Sequence, residues 1–329
     1  MSRSRAFRYA LGTLASVFVL ANAMAFFHGR AMTHFSAAGT RTPRASELTT
    51  AQKIGVVLRG VNLPRRLNEQ DPSAWSLPFE RETFKTRDGL TIEAWRVPAA
   101  APRGSVVLLH GYADRKASLL REAQAFHEMG YECLLVDFRG AGGSDGDVTS
   151  IGFHEAEDVL AAVTHELQAS RPRPLIVFGV SMGAAATLRA VGVLHATPDV
   201  LVLQYPFATL RDAVTHRFAA SGVPTAVVPL FVFWGGAQMG FDGFSHNPAE
   251  YAKAVRVPTL LLQGDRDDRV AMWEARLIVD RLAGPKQLEV FEGLGHVSLL
   301  KAKPEQWTRV VGDFLRRFSP ALAGVEAGH

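Results

Sequence analysis

A single cysteine in 329 residues removes several chemistries at once. Cys133 has no partner for a disulfide, and neither a cysteine-based zinc site nor a redox pair can be built from it. It falls within the apolar run 131–137, where a buried, inert thiol is expected. Charge of one sign is scarce as well. The formal net charge is only +4, and apart from Arg3, Arg5 and Arg8 the basic residues are scattered, so no nucleic-acid-binding stripe is present. No internal repeat is found. Apolar residues, in contrast, make up 47% of the chain against 21% charged, which suffices for a sizeable core in one large domain.

The longest apolar run comes first. Tyr9–Phe27 holds nineteen residues without a charge, bounded by Arg8 on one side and His28 and Arg30 on the other. As a helix it would span about 28 Å, close to the ~30 Å of a bilayer's hydrocarbon. An uncleaved signal anchor is one reading. A cleaved signal peptide is the other, because Ala21-Asn22-Ala23 and Ala23-Met24-Ala25 fit an A-x-A site. In both, the arginines ahead of the run favour a cytoplasmic N-terminus, which puts the rest of the chain across the membrane or outside the cell.

Residues 31–80 carry Pro43, Pro64, Pro72 and Pro78 and read as a linker or N-terminal extension with one or two short helices. Phe84–Arg87 and Leu90–Val97 alternate around Asp88-Gly89, a hairpin signal. Strands are then expected at 105–110, 132–137, 175–180, 200–204, 259–263 and 287–291. Helices are expected at 116–129, 153–169, 182–195, 272–282 and 304–318. Uninterrupted apolar strands alternating with helices predict an α/β fold, with a mostly parallel sheet covered on both faces over residues 81–320. Residues 321–329 remain as a tail. One stretch breaks the rhythm. Residues 204–259 leave room for far more than one helix, and 218–241 carries no charge. Pro224, Pro229 and Gly235-Gly236 argue against a second membrane span. An inserted lid at about 207–250, lining an apolar pocket, fits better, with a plain core helix as the alternative.

Gly179-Val180-Ser181-Met182-Gly183 has the G-x-S-x-G form, preceded by an apolar strand and followed by an alanine-rich helix. A nucleophile elbow needs that context. The turn strains the serine backbone and crowds strand against helix, so glycines two residues to either side remove colliding side chains. The helix start directs free N–H groups and a positive dipole end at the site. The bland alternative for Ser181 is a helix N-cap. A serine nucleophile requires a base, and the base an orienting acid. His296, in Gly293-Leu294-Gly295-His296, lies just beyond the last expected strand. His110, His127, His154, His165, His195 and His216 all precede the acid candidates. Those acids lie in the loop after 259–263, where Asp267 is favoured and Asp265 and Asp268 are rivals.

Ser181, Asp267 and His296, each following a successive strand, resemble the α/β-hydrolase superfamily. Two further segments narrow the resemblance. His110-Gly111-Tyr112 is similar to the family's oxyanion loop, and Asp137-Phe138-Arg139-Gly140-Ala141-Gly142-Gly143-Ser144 to the D-x-R-G-x-G-x-S loop of the branch holding serine aminopeptidase-like and monoglyceride-lipase-like hydrolases. The resemblance spans about 80–318. It implies a serine hydrolase without a cofactor, in which the backbone N–H groups of Tyr112 and Met182 hold the oxyanion. Carboxylic esters, lipids included, are the expected substrates. A peptidase is the runner-up, and a catalytically silent membrane-anchored binding protein the reading from another class.

Other patterns lead nowhere. His154-Glu155 begins a zinc motif that lacks its second histidine, Asp158 standing in its place, and reads as an ordinary polar helix face. Gly140-Ala141-Gly142 lacks the third glycine of a dinucleotide fingerprint. His110 is expected to be structural, and Asp137 is expected to pair with Arg139 to brace the loop.

Overall fold

In the computed structural model, residues 3–43 and 47–318 are described, and the expected 321–329 tail lies outside them. The helices in chain order are α1 (Arg3–Thr33), α2 (Thr50–Arg59), α3 (Leu120–Glu128), α4 (Glu155–Gln168), α5 (Met182–Gly192), α6 (Leu210–Ala220), α7 (Val228–Gln238), α8 (Pro248–Tyr251), α9 (Met272–Arg281), α10 (Leu299–Ala302) and α11 (Pro304–Phe318). The strands are β1 (Glu80–Lys85), β2 (Thr91–Val97), β3 (Ser105–Leu109), β4 (Glu132–Val136), β5 (Leu175–Val180), β6 (Val200–Gln204), β7 (Thr259–Gly264) and β8 (Lys286–Phe291).

These strands form one sheet in the order β1-β2-β4-β3-β5-β6-β7-β8. The hairpin β1–β2 is antiparallel, β2 meets β4 antiparallel, and every other pairing is parallel. Alternation along the strands sorts their apolar side chains between two cores. Val106, Leu108, Ile176, Phe178, Val202 and Leu260 face α3 and α11, while Val107, Leu109, Val177, Leu203 and Leu261 face α4, α5 and α9. Burial on both faces is why these strands read as unbroken apolar runs. Because β3–β8 run parallel, the loops after all of them gather at one sheet edge.

Two regions outside the sheet matter for the site. Residues 34–43 and 60–68 lie across the domain as straps: His34 bridges Val148, and the Asn68 amide donates to Asp137 at 2.8 Å. The Arg65 guanidinium serves the Gly142 and Gly146 carbonyls at 3.1 and 3.0 Å. The uncharged stretch 218–241 folds as the end of α6, a short 3-10 turn and α7, whose eleven residues are too short to cross a bilayer. α7 lies against the second half of α1. The Trp234 indole N–H donates to Asn22 at 3.1 Å, the Gln238 amide to the Phe26 carbonyl at 3.0 Å, and the Phe26 and Trp234 rings meet edge to face. Among the described residues one helix, Phe7–Thr33, is long and apolar enough to cross a membrane.

Candidate active site

The elbow is built as its glycines require. Ser181 has φ 54° and ψ −110°, a strained backbone for a residue with a side chain. A Cβ on Gly179 would come within 2.8 Å of the Gly183 carbonyl group, and one on Gly183 within 2.5 Å of the Leu109 carbonyl oxygen. Neither position accepts a larger residue while strand β5, helix α5 and strand β3 keep this spacing. Although Ser181 stands at the N-cap of α5, its side chain makes no capping bond. The N-cap explanation therefore fails, and the hydroxyl is left for another use.

The loop after β7 brings Asp267 to His296. The imidazole Nδ1 donates to Asp267 Oδ2 at 2.8 Å, and the Asp267 side chain is fully buried. Its other oxygen, Oδ1, accepts the backbone N–H groups of Arg269 and Val270 at 2.8 and 3.0 Å, which fixes the carboxylate's direction. Asp265 is used differently, accepting the Gly293 N–H at 2.6 Å, and Asp268 is exposed. With Nδ1 donating to Asp267, the histidine is held as the tautomer whose Nε2 carries a lone pair. Ser181 and His296 make no hydrogen bond to each other here; such contacts often tighten only when substrate arrives.

One residue that the sequence reading missed supports this histidine. Tyr205, directly after β6, takes φ 59° and lays its ring against the His296 imidazole, with centroids 4.6 Å apart and planes tilted by 31°. Its hydroxyl lies 3.0 Å from both the Gly295 and Val297 carbonyls, sharing one proton between the residues that flank His296. Burial, and secondarily the Asp267 charge, push the phenol's pKa well above its ordinary value, so it remains a donor. No motif marks Tyr205. Its only trace in the sequence is an aromatic residue at the end of a predicted strand.

The two expected oxyanion donors sit at the ends of β3 and β5. The Tyr112 and Met182 backbone N–H groups find no protein acceptor among the described residues. Gly111 lies close to Ser181, where a Cβ on it would come within 3.7 Å of the serine Cβ. His110 is structural, as expected: Nδ1 donates to the Gly111 carbonyl at 2.8 Å and Nε2 accepts the Phe138 N–H at 3.2 Å.

Two minor expectations need correction. Asp137 and Arg139 do not pair. Asp137 is buried against the Lys116 ammonium and accepts the Lys116 and Gly143 N–H groups, whereas Arg139 binds Asp158 and Asp88. Each still braces the 137–144 loop, but toward opposite neighbours. Glu155 is no ordinary polar helix face. Fully buried, it accepts from the Thr149 hydroxyl at 2.6 Å and from the Ser150 and Gly152 N–H groups at 3.0 and 2.9 Å. Burial opposes its ionisation, but the Ser150 and Thr149 hydroxyls outweigh it and hold the pKa below the ordinary carboxylate value.

Comparison with known proteins settles the family. A sequence model described as "Serine aminopeptidase, S33" matches residues 100–254. An uncharacterised protein of Mycobacterium tuberculosis is 31% identical over 256 residues, covering 75% of this chain and 82% of its own. The chain is an α/β-hydrolase. It belongs to the branch that its loop motif resembles, and by family this hydrolase is a serine hydrolase. The monoacylglycerol lipase of Mycolicibacterium smegmatis is 27% identical, with 63% of this chain and 85% of the lipase aligned. Among solved structures, an esterase from Pyrococcus furiosus superposes with a TM-score of 0.67 at 23% identity, covering 78% of this chain and 97% of the esterase. That likeness extends the agreement in fold across the sheet and its helices.

Proposed function

We propose that this hydrolase cleaves carboxylic esters at a Ser181–His296–Asp267 triad and works at a membrane to which α1 anchors it. The buried Asp267–His296 hydrogen bond, on the same sheet edge as the strained Ser181 elbow, carries the reading. His296 Nε2 takes the Ser181 hydroxyl proton as Oγ attacks the ester carbonyl. The oxyanion meets the Tyr112 and Met182 N–H groups, each contributing about 3–4 kcal/mol. Collapse expels the alcohol, which receives the proton from His296. Water, deprotonated by the same base, then releases the acid. Asp267 stabilises the imidazolium throughout.

Esters are preferred over peptides because the insertion's stretch 218–241 offers no Asp or Glu to hold a substrate amine. The lipase and esterase relatives point the same way. An uncleaved anchor is favoured over a signal peptide because both A-x-A sites lie inside α1, where Ala25 is fully buried and Asn22 is bonded to α7. The catalytic domain then lies on the non-cytoplasmic side. A fluorophosphonate probe should label the wild type and not Ser181→Ala, with turnover of p-nitrophenyl esters and not aminoacyl-anilides. Labelling of the alanine variant would overturn the assignment.

A further inference from the structure

Helix α7 turns three faces to three different surroundings. Val228, Val232 and Gly236 are buried, and the two valines pack with Leu210, Val214 and Phe218 of α6. Trp234 and Gln238, the only side chains of α7 that can donate a hydrogen bond, both turn to α1. Pro229, Phe233 and Ala237, spaced four residues apart, are exposed, Phe233 at 52%. This outer stripe carries no charge and no polar side chain. A helix that faces water normally shows polar residues on its outer side. Elsewhere the chain obeys that rule: the exposed positions of α11 hold Glu305, Thr308, Arg309, Asp313, Arg316 and Arg317.

The level at which α7 meets α1 says what covers the stripe. With Tyr9–Phe27 filling the hydrocarbon, Asn22 lies five residues, or about 8 Å, inside its edge. Trp234 is bonded to Asn22 and Gln238 to the Phe26 carbonyl, so α7 joins α1 within the last turns of the apolar run. The Phe233 ring packs edge to face on Trp234 with centroids 5.1 Å apart, at the same level. Met24 and Phe27, in those turns of α1, are exposed as well. At this depth the neighbour of an outward apolar side chain is lipid and not water.

We infer that α7 is a second membrane contact: its Pro229–Phe233–Ala237 stripe rests among the acyl chains at the edge of the leaflet from which α1 emerges, without crossing the bilayer. This rests on the reading of α1 as an uncleaved anchor and adds an orientation to it. A single span lets a domain swing, whereas two helices meeting the bilayer fix its tilt. The Tyr112 hydroxyl donates to the Met32 carbonyl, five residues beyond Phe27. Tyr112, a candidate oxyanion donor, is thereby tied to α1 about 8 Å above the hydrocarbon, at the level of lipid headgroups.

The test places one cysteine at a time in the full-length protein, as Phe18→Cys, Phe233→Cys, Ala237→Cys and Arg309→Cys. Cys133 is fully buried and does not compete for a thiol-reactive dye. Each dye-labelled variant is reconstituted in phosphatidylcholine vesicles whose lipids carry a spin-label quencher either near the headgroup or near the end of the acyl chain, and iodide serves as the quencher in water. Phe18→Cys, at the middle of the apolar run, should be quenched best by the deep label. Phe233→Cys and Ala237→Cys should be quenched by the shallow label several-fold more strongly than Arg309→Cys, and shielded from iodide. Both stripe positions are exposed, so either variant decides if the other does not fold. Iodide access at 233 and 237, with Phe18→Cys still quenched by lipid, overturns the role of α7 and leaves the anchor intact. Shielding from iodide without quenching by lipid also overturns it and gives the stripe to a second copy of the chain. Iodide access at Phe18→Cys overturns both readings.

Discussion

Tyr205→Phe isolates the support of the candidate base from its chemistry. The substitution keeps the ring, and with it the contact 4.6 Å from the imidazole, and removes only the hydroxyl 3.0 Å from the Gly295 and Val297 carbonyls. One shared hydrogen bond contributes about 0.5–1.5 kcal/mol net; the Gly295 carbonyl keeps the Val297 N–H at 2.9 Å, while the Val297 carbonyl loses its donor, which brings the cost to roughly 1–2 kcal/mol. If all of it appears as misplacement of His296, kcat/KM falls about fivefold to thirtyfold, at about 1.4 kcal/mol per factor of ten. A short p-nitrophenyl ester serves as the substrate. The loss should fall in kcat with little change in KM, because Tyr205 packs on the candidate base. Thermal denaturation run in parallel should show a shift of only a few degrees. A folded Tyr205→Phe protein with kcat/KM within twofold of wild type would refute the positioning role.

Three further outcomes follow from the structure. Gly183→Ala should abolish fluorophosphonate labelling and lower solubility: its methyl would sit 2.5 Å from the Leu109 and 2.8 Å from the His110 carbonyl oxygens, far outweighing the ~1 kcal/mol gained in helix propensity. Gly312→Ala in α11 meets only the tip of Arg316 and should stabilise slightly by calorimetry. Burial lowers the His246 pKa to about 4 from 6.5. The unfolded chain therefore takes up a proton between these values that the folded chain refuses. Stability should be complete above about pH 6.5 and fall toward pH 4, by up to about 3 kcal/mol. Denaturant midpoints measured at pH 7.5 and 5 should converge in His246→Gln, and an equal acid loss in both proteins would dismiss the imidazole as the cause.

Much of the sheet was legible because its strands are buried on both faces and so write continuous apolar runs. The strands 175–180 and 200–204 match their expected limits residue for residue. Ser181 and His296 stood out through local glycines, which mark tight turns in any sequence. What stayed hidden was contact between distant segments. Tyr205 acts on a loop ninety residues away, with no periodicity to connect the two. Glu155 looked solvent-facing in its own helix, and only the fold shows three loop residues converging on it. The stretch 31–80 has few apolar residues in register, so its packing through Arg65 and Asn68 onto main-chain carbonyls and a buried carboxylate left no pattern to read. Polar side chains that bind backbone carry no repeat.

The bond from the Tyr112 hydroxyl to α1 ends on a main-chain carbonyl. Residue 32 can thus be exchanged for any side chain the helix tolerates without breaking that tether. Mutation at this position leaves the 110–112 loop moored to α1, so the side chain there is free to drift in evolution without moving that loop.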